Sequence, residues 1–416
     1  MLAKYAFEGR EIDSLDLKSL IVTRGVRVND SVYEELGGRY RIDKDPLTCN
    51  CVILPDGTVA QLTDIALHLR YLRQAMSLES LRQLGTFFRG WKPFSLDVCG
   101  SGRALLFYGE QPITEVHFPE KTHFYEQKAS SGLPFLGNAV LQGVDTLTFQ
   151  SLWPCAIARA GYACQFCYTG GISEQLARKH KPEPTIPTSR DAAEIVDYAV
   201  NKERVAEHVQ ITGGSTMNPQ AECQIISRLL REIDLVAGLK NVRGEVIVFT
   251  TPPSDPKSLD QIFYAGADRV ACSLEVWDDE LAKVITPGKV KFTGRQRHFD
   301  ALRYIAKEFG PNKACSTFVV GLEPVESFLA GARRLAEEGI VAMASLWVPF
   351  GRPVMGSVKA PGLEYYQRVK QGLAEIYDEY GIVPPGGAGF NVCICKDICR
   401  HKDELIDLQV PSLRSA

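Results

Sequence analysis

The stretch Trp153–Gly171 reads WPCAIARAGYACQFCYTGG and sets Cys155, Cys164 and Cys167 in one segment, with Phe166 just before the last thiol. The spacing is C-x8-C-x2-C. Thiols grouped in this way point to a metal. A structural zinc site takes four protein ligands, with its cysteines usually in two close pairs, whereas this segment offers one close pair and an outlier. Iron–sulfur clusters are also held by thiolates, and a cubane with only three protein ligands leaves one iron open to a small molecule. Structural zinc or plain packing is the competing reading, and the flanking sequence decides between them.

Working outward, the run TLTFQSL at 146–152 leads into the segment as a strand. Beyond it, apolar strand-like runs alternate with helical stretches. RDAAEIVDYAVNK forms the first helix with Ser189 as its N-cap. HVQIT then precedes a helix near 218–236, EVIVFT a helix near 256–265, and RVACSLEV a helix near 293–308. CSTFVVG precedes VESFLAGARRLAEE, and VAMASLWV precedes LEYYQRVKQGLAEIYDEY. This alternation predicts a parallel sheet in an α/β fold, a partial (β/α)6 TIM-like barrel. Its short Val- and Ile-rich strands suit burial on both faces. In such barrels the chemistry occupies loops after the carboxyl ends of strands, where the cysteine segment falls.

Upstream, residues 1 to about 60 mix short β-like runs such as SLIVTRGVRV with turn residues, and Asp56-Gly57 after CVILP signals a hairpin. Residues 62–90 carry Leu67, Leu69, Leu72, Met76, Leu78, Leu81 and Leu84 at mostly helical spacing. From Ser95 to Phe149 strands return. The expected organisation is an N-terminal α+β region over 1–143, the barrel over 144–382, and a cysteine-bearing C-terminal tail over 383–416 after the break VPPGGAGF.

A chain of 416 residues with 45% hydrophobic and 23% charged residues is long enough for a barrel with additions and has an ordinary globular composition. The formal net charge of −3 gives no basic field for a nucleic-acid backbone, which disfavours that class of partner. No apolar run is long enough to span a bilayer, and MLAKYAFEGREIDSLD lacks a signal-peptide pattern, so a cytoplasmic location is expected. Twelve cysteines in such a chain read as reduced thiols and metal ligands.

The segment Cys164, Phe166, Cys167 resembles the cluster loop of the radical S-adenosylmethionine (radical SAM) superfamily, with a lengthened first spacer. Thr212-Gly213-Gly214-Ser215 resembles that superfamily's GGE motif with serine in place of the acid. Ser273-Leu274-Glu275 followed by VWDDELAKVITPGK resembles the biotin synthase and HydE-like branch. That resemblance implies that Cys155, Cys164 and Cys167 hold a [4Fe–4S] cluster and that Gly213, Gly214, Ser215, Ser273 and Glu275 bind SAM. A downstream arginine, Arg297 or equally Arg295, would meet the methionine carboxylate, which a guanidinium can fork bidentately. Gly321 in VGLE, near Glu323 and Glu326, and Val348 before Pro349-Phe350 would flank the adenine.

The implied activity is reductive cleavage of SAM to a 5′-deoxyadenosyl radical and hydrogen abstraction from a small-molecule substrate in cofactor or metabolite biosynthesis. Rearrangement, lyase and sulfur-insertion outcomes stay open. The resemblance also implies oxygen sensitivity and a reducing partner such as flavodoxin or ferredoxin. Cys393, Cys395 and Cys399, with distant Cys49 and Cys51, offer a possible auxiliary iron–sulfur cluster or mononuclear metal site if the tail folds back on the N-terminal region. From a different class, the chain reads as a non-catalytic iron–sulfur or zinc scaffold or electron carrier, which would not need the strand-end set.

Overall fold

The computed structural model describes residues 1–45, 48–66, 92–99, 103–167, 186–348, 358–386 and 392–407. Its central sheet has seven strands: β9 (Ala139–Gln142), β10 (Thr146–Leu152), β11 (His208–Gly213), β12 (Val246–Phe249), β13 (Arg269–Ala271), β14 (Ala314–Val320) and β15 (Val341–Leu346). They run in spatial order 15-14-13-12-11-10-9. From β10 to β15 every pairing is parallel, and β9 is antiparallel to β10. The partial (β/α)6 barrel is therefore present, with one strand added at its edge.

Helices cover the outer face, and α3 (Ser189–Asp197), α4 (Pro219–Ala237) and α8 (Gly294–Phe309) follow three of the expected positions closely. The N-cap of α3 is Thr188, one residue before the expected Ser189. Thr188 and Asp191 cap each other in a reciprocal box, which Ser189 at the first helical position has no reach to make. In place of the helix expected near 256–265, Pro256–Leu259 is a 3-10 turn running into the short helix Asp260–Tyr264.

The N-terminal region differs more. The run SLIVTRGVRV was expected to be β-like, but Ser14–Arg24 is helix α1, and only Val26–Val28 is a strand, β3. Asp13 caps α1 by accepting from the backbone of Leu15 and Asp16, with Asp16 answering from the third position. Helical periodicity also buries this run: Leu17, Leu20 and Ile21 enter the N-terminal core while Leu15 and Val22 face the barrel core. Capping and two-sided burial outweigh the β preference of Ile, Val and Thr. Around α1 lie the four-stranded sheet β3-β6-β7-β8 (β6 Phe94–Cys99, β7 Arg103–Tyr108, β8 Gln111–Val116) and the hairpin β4-β5 (Cys51–Ile53, Val59–Gln61) that Asp56-Gly57 signalled. Most of the expected 62–90 helix lies outside the described residues.

The tail closes the molecule from the other end. Residues 392–394 run antiparallel along the outer edge of β15: Leu346 N donates to Val392 O at 2.8 Å and Ile394 N to Ala344 O at 3.2 Å. Two short helices, α11 (Cys395–Arg400) and α12 (Lys402–Asp407), follow. Buried Lys18 of α1 donates to Cys393 O at 2.8 Å and to Asp397 at 2.6 Å, so the tail does fold back on the N-terminal region. Lys370, on the helix α10 (Leu363–Glu379), joins Asp13 and Asp16 in a buried triad.

Candidate active site

The carboxyl ends of β10 to β13 open into a cavity of about 170 Å³. Cys155, Cys164 and Cys167 line it together with Gly213, Gly214, Ser215, Ser273 and Glu275. Eight residues chosen from distant parts of the sequence thus converge on one space.

Local packing explains why the cysteine segment lies there. Leaving β10, the chain turns across the end of β11: Gly214 N donates to Leu152 O at 2.7 Å and Ala156 N to Ser215 O at 2.8 Å. A Cβ on Gly214 would stand 2.6 Å from Cys155 Cα, so the glycine gives Cys155 room to rest on the neighbouring strand end. Gly288 does the same on the other side, where a Cβ would meet Ile157 Cγ2 at 2.2 Å. Gln165 N donates to Ile285 O at 2.8 Å, and Cys167 N to Cys164 O at 3.1 Å in a tight turn.

Electrostatically, the thiols share one environment. Burial pushes the Cys164 thiol up to about 12; Lys289 opposes this, while Cys167, Glu275 and Cys155 add to it. A buried cluster of thiolates needs compensating positive charge, as bound metal supplies. Lys289, on the helix Pro287–Phe292, contributes some of it and was not singled out in the sequence. Its ammonium donates to Ser273 O at 2.6 Å and to Glu275 Oε1 at 2.7 Å. Burial lowers its pKa, but the charges of Glu275, Cys164 and Cys167 outweigh that and raise it, so it stays charged. Glu275 adopts φ 73°, in the left-handed region where a non-glycine residue is strained.

Two further groups were also missed. His298 lines the cavity, and its Nδ1 and Nε2 lie 3.2 Å from Cys272 O and Thr293 Oγ1. Burial drives its pKa down to about 3, so it is neutral. Glu222 is fully buried and accepts from the backbone of Thr216 and Thr251, tying the loops after β11 and β12 together. Sequence spacing gave Lys289 no signal beyond its place in VITPGK, and His298 reads as one more residue of a helix.

Four expected residues do not line this cavity. Arg295 is spent on Trp277, whose carbonyl it bonds and whose ring it covers at 4.7 Å, and on Asp279 at 2.8 Å. Arg297 donates to Phe292 O at 3.3 Å. Gly321 donates its N–H to Tyr365 OH at 3.0 Å and packs beside Tyr366 and Trp347. Val348 packs on the barrel core, and Pro349-Phe350 lie outside the described residues. Glu323 receives the backbone N–H groups of Trp277 and Asp278, which gives it a structural task near the same loop.

The other cysteine group is more dispersed. Cys395 Sγ accepts from Ala344 N at 2.9 Å, while Cys51 Sγ faces Gly143 O at 3.6 Å. Cys49 adopts φ 54°, and Cys399 is half-buried against the barrel core. Among the described residues no three of these thiols lie within 4.8 Å of one another, as a mononuclear ion needs; the group that does is Asp145, Glu207 and His208 at the opposite barrel end. There His208 Nδ1 accepts from Glu245 N at 2.9 Å, which leaves the hydrogen of a neutral ring on Nε2 and no free lone pair for an ion.

Residues 159–335, a little under half of the chain, match the family model of the Radical SAM superfamily. The matched span contains Cys164 and Cys167 and begins after Cys155. Among known proteins, bacteriochlorophyllide c C-7(1)-hydroxylase of Chlorobaculum limnaeum is 23% identical over 311 residues, covering 71% of this chain and 76% of that protein. Among solved structures, methylornithine synthase (PylB) is 14% identical with TM-score 0.43 over 61% of this chain and 69% of that one. Coproporphyrinogen III oxidase (HemN) from Escherichia coli is 15% identical with TM-score 0.33 over 47% of this chain. The chain spans about half of that enzyme's length, 48%.

Proposed function

We propose that the chain is a radical SAM enzyme in which Cys155, Cys164 and Cys167 hold a [4Fe–4S] cluster and the adjoining strand ends bind SAM. The observation that carries this reading is the convergence of the three thiols, the Gly213-Gly214 strand end and the Glu275–Lys289 pair on one cavity, in a chain that matches the Radical SAM family model. When bound, cluster and SAM supply one-electron cleavage of a sulfur–carbon bond and a 5′-deoxyadenosyl radical that takes hydrogen from substrate.

The chain's own residues do the positioning. Gly213, Gly214 and Ser215 offer backbone groups to the methionine amino end, and Glu275 accepts from ribose hydroxyls or an ammonium. Lys289 takes the role expected of an arginine, facing the carboxylate as a point charge. Neutral His298 adds no competing charge to the cavity floor.

The substrate is a small molecule held deeper in the lumen. Thr148 and Gln210 are register partners on β10 and β11, and Gln210 shares the face of Thr212, which lines the cavity. Thr148 Oγ1 and Gln210 Oε1 are buried without hydrogen-bond partners. Such acceptors suit a substrate bearing O–H or N–H groups. An auxiliary cluster drawing on Cys393, Cys395 and Cys399 would suit substrate anchoring or electron return.

The test is anaerobic reconstitution with iron and sulfide, reduction with dithionite, addition of SAM and mass spectrometry for 5′-deoxyadenosine. Its appearance, with loss in Cys167→Ala, supports the reading. Zinc in the purified protein and no SAM cleavage would instead make the chain a scaffold. Iron at about eight rather than about four per chain would support the auxiliary cluster.

A further inference from the structure

A carboxylate stands directly behind one wall of the barrel-mouth cavity. Glu222 lies in the first turn of α4 and is fully buried. Its Oε2 accepts from Thr251 N at 3.0 Å and from Thr250 Oγ1 at 3.3 Å, and both threonines line the cavity. Its Oε1 accepts from Thr216 N, next to the cavity-lining Ser215. One hydrogen bond therefore separates the carboxylate from the lining.

Burying an anion this completely is costly unless something answers its charge. Among the described residues Glu222 forms no ion pair. Burial raises its pKa, and the backbone donors of Thr251 and Thr216 oppose that. Both oxygens only accept, the contact pattern of the ionised form. The start of a helix also favours an anion. These dipoles steady the charge but carry none of their own, so one negative charge is left over.

The lining does not balance it. Glu275 and Lys289 are its ionic groups among the described residues, and they pair at 2.7 Å; His298 is neutral. Lys289 stands toward β13, where it bonds Ser273 O, and Arg297 stands near His298 on the same side. Glu222 stands toward β11 and β12. Burial and then Cys223 raise the pKa of the Cys272 thiol, after which Lys289 lowers it and Glu222 raises it, so both fields reach the strand between Ala271 and Ser273. This polarity suits a ligand whose carboxylate faces Lys289 and whose positive charge faces the other wall.

Glu222 also ties the walls together. Ser215 Oγ and Thr251 Oγ1 are 2.6 Å apart, and Ser215 O receives Ala156 N from the cysteine segment at 2.8 Å.

We propose that Glu222 is a positioning residue whose buried charge, acting through the Thr250–Thr251 wall, makes the site prefer a positively charged sulfonium to a neutral thioether. This inference rests on the SAM reading. SAM carries a sulfonium that S-adenosylhomocysteine lacks, while the ammonium and carboxylate are common to both.

The test is equilibrium dialysis of SAM and, separately, of S-adenosylhomocysteine against the reconstituted full chain without reductant, at matched iron content. Glu222→Gln removes the charge at nearly constant shape and should cut the preference for SAM over S-adenosylhomocysteine about tenfold. Glu222→Asp keeps the charge but shortens its reach. Both ligands should then bind more weakly, with the preference held within about threefold of wild type.

An equal loss of both ligands in Glu222→Gln would overturn the inference and leave Glu222 as a tie between loops. Loss of the preference in Glu222→Asp, where the charge remains, would overturn it too, and that variant decides the matter should Glu222→Gln not fold. Failure of the wild type to bind either ligand would instead overturn the SAM reading itself.

Discussion

At the scale of single residues, the barrel mouth rests on contacts that admit little change. Gly214→Ala sets a methyl group against Cys155 at a separation real side chains do not tolerate. An overpacked site of this kind costs about 1–3 kcal/mol; a lowered denaturation midpoint and reduced iron uptake on reconstitution should both be seen. Lys289→Met tests the cation of the site. It should leave iron content near wild type but weaken SAM binding, by equilibrium dialysis, about tenfold or more, since hydrogen bonds to charged groups contribute about 1.5–3 kcal/mol. Wild-type SAM affinity in that variant would return the carboxylate role to an arginine. The cysteines and glycines that line this cavity were legible because closely spaced thiols and glycines at strand ends stand out as particular residue types at fixed spacing. Lys289 was not, because a lysine's reach is long and its sequence neighbours say nothing of where the ammonium ends. Arg295 misled for the same reason: a guanidinium near a motif is as readily used by Trp277 and Asp279 as by a ligand.

At the scale of elements, the six parallel strands and most of their helices were readable because strand and helix periods differ and each strand is buried on both faces. Helix α1 was not, since Ile, Val and Thr in SLIVTR favour strands and only tertiary burial and the Asp13 cap reverse that preference. The tail was placed only conditionally by sequence, because the free edge of β15 that receives it exists only after folding. Its last helix carries a pH signature. Glu404 accepts from Leu2 N at 2.9 Å, and chiefly that bond, against some burial and with His401 helping, lowers its pKa from 4.5 to about 2. A carboxylate depressed in the folded state contributes stability above its unfolded value and loses it as pH falls through the folded one. Docking of α12 should therefore weaken between about pH 4.5 and 2, seen as rising hydrogen exchange over 402–407, and Glu404→Gln should flatten that dependence.

At the scale of the whole molecule, the N-terminal region, the barrel and the tail are joined by buried charge. Lys370 is 9% exposed, and Asp13 and Asp16 are 3% and 4% exposed, so the three ions have little water to fall back on. Lys370→Met leaves two carboxylates uncompensated and should lower unfolding free energy by about 3–5 kcal/mol, measured by urea denaturation. A change below about 1 kcal/mol would mean that water reaches the triad. Sequence reading found the parts joined here but not the joints, because ion pairs across hundreds of residues leave no local pattern. Those joints also bear on synthesis at the ribosome. Lys18 and Asp397 are 379 positions apart and Leu2 and Glu404 are 402 apart, so α1 leaves the ribosome long before its partners exist. The nascent N-terminal region spends that interval with Lys18 uncompensated and the future seat of the tail uncovered, an interval in which a chaperone has the most to protect.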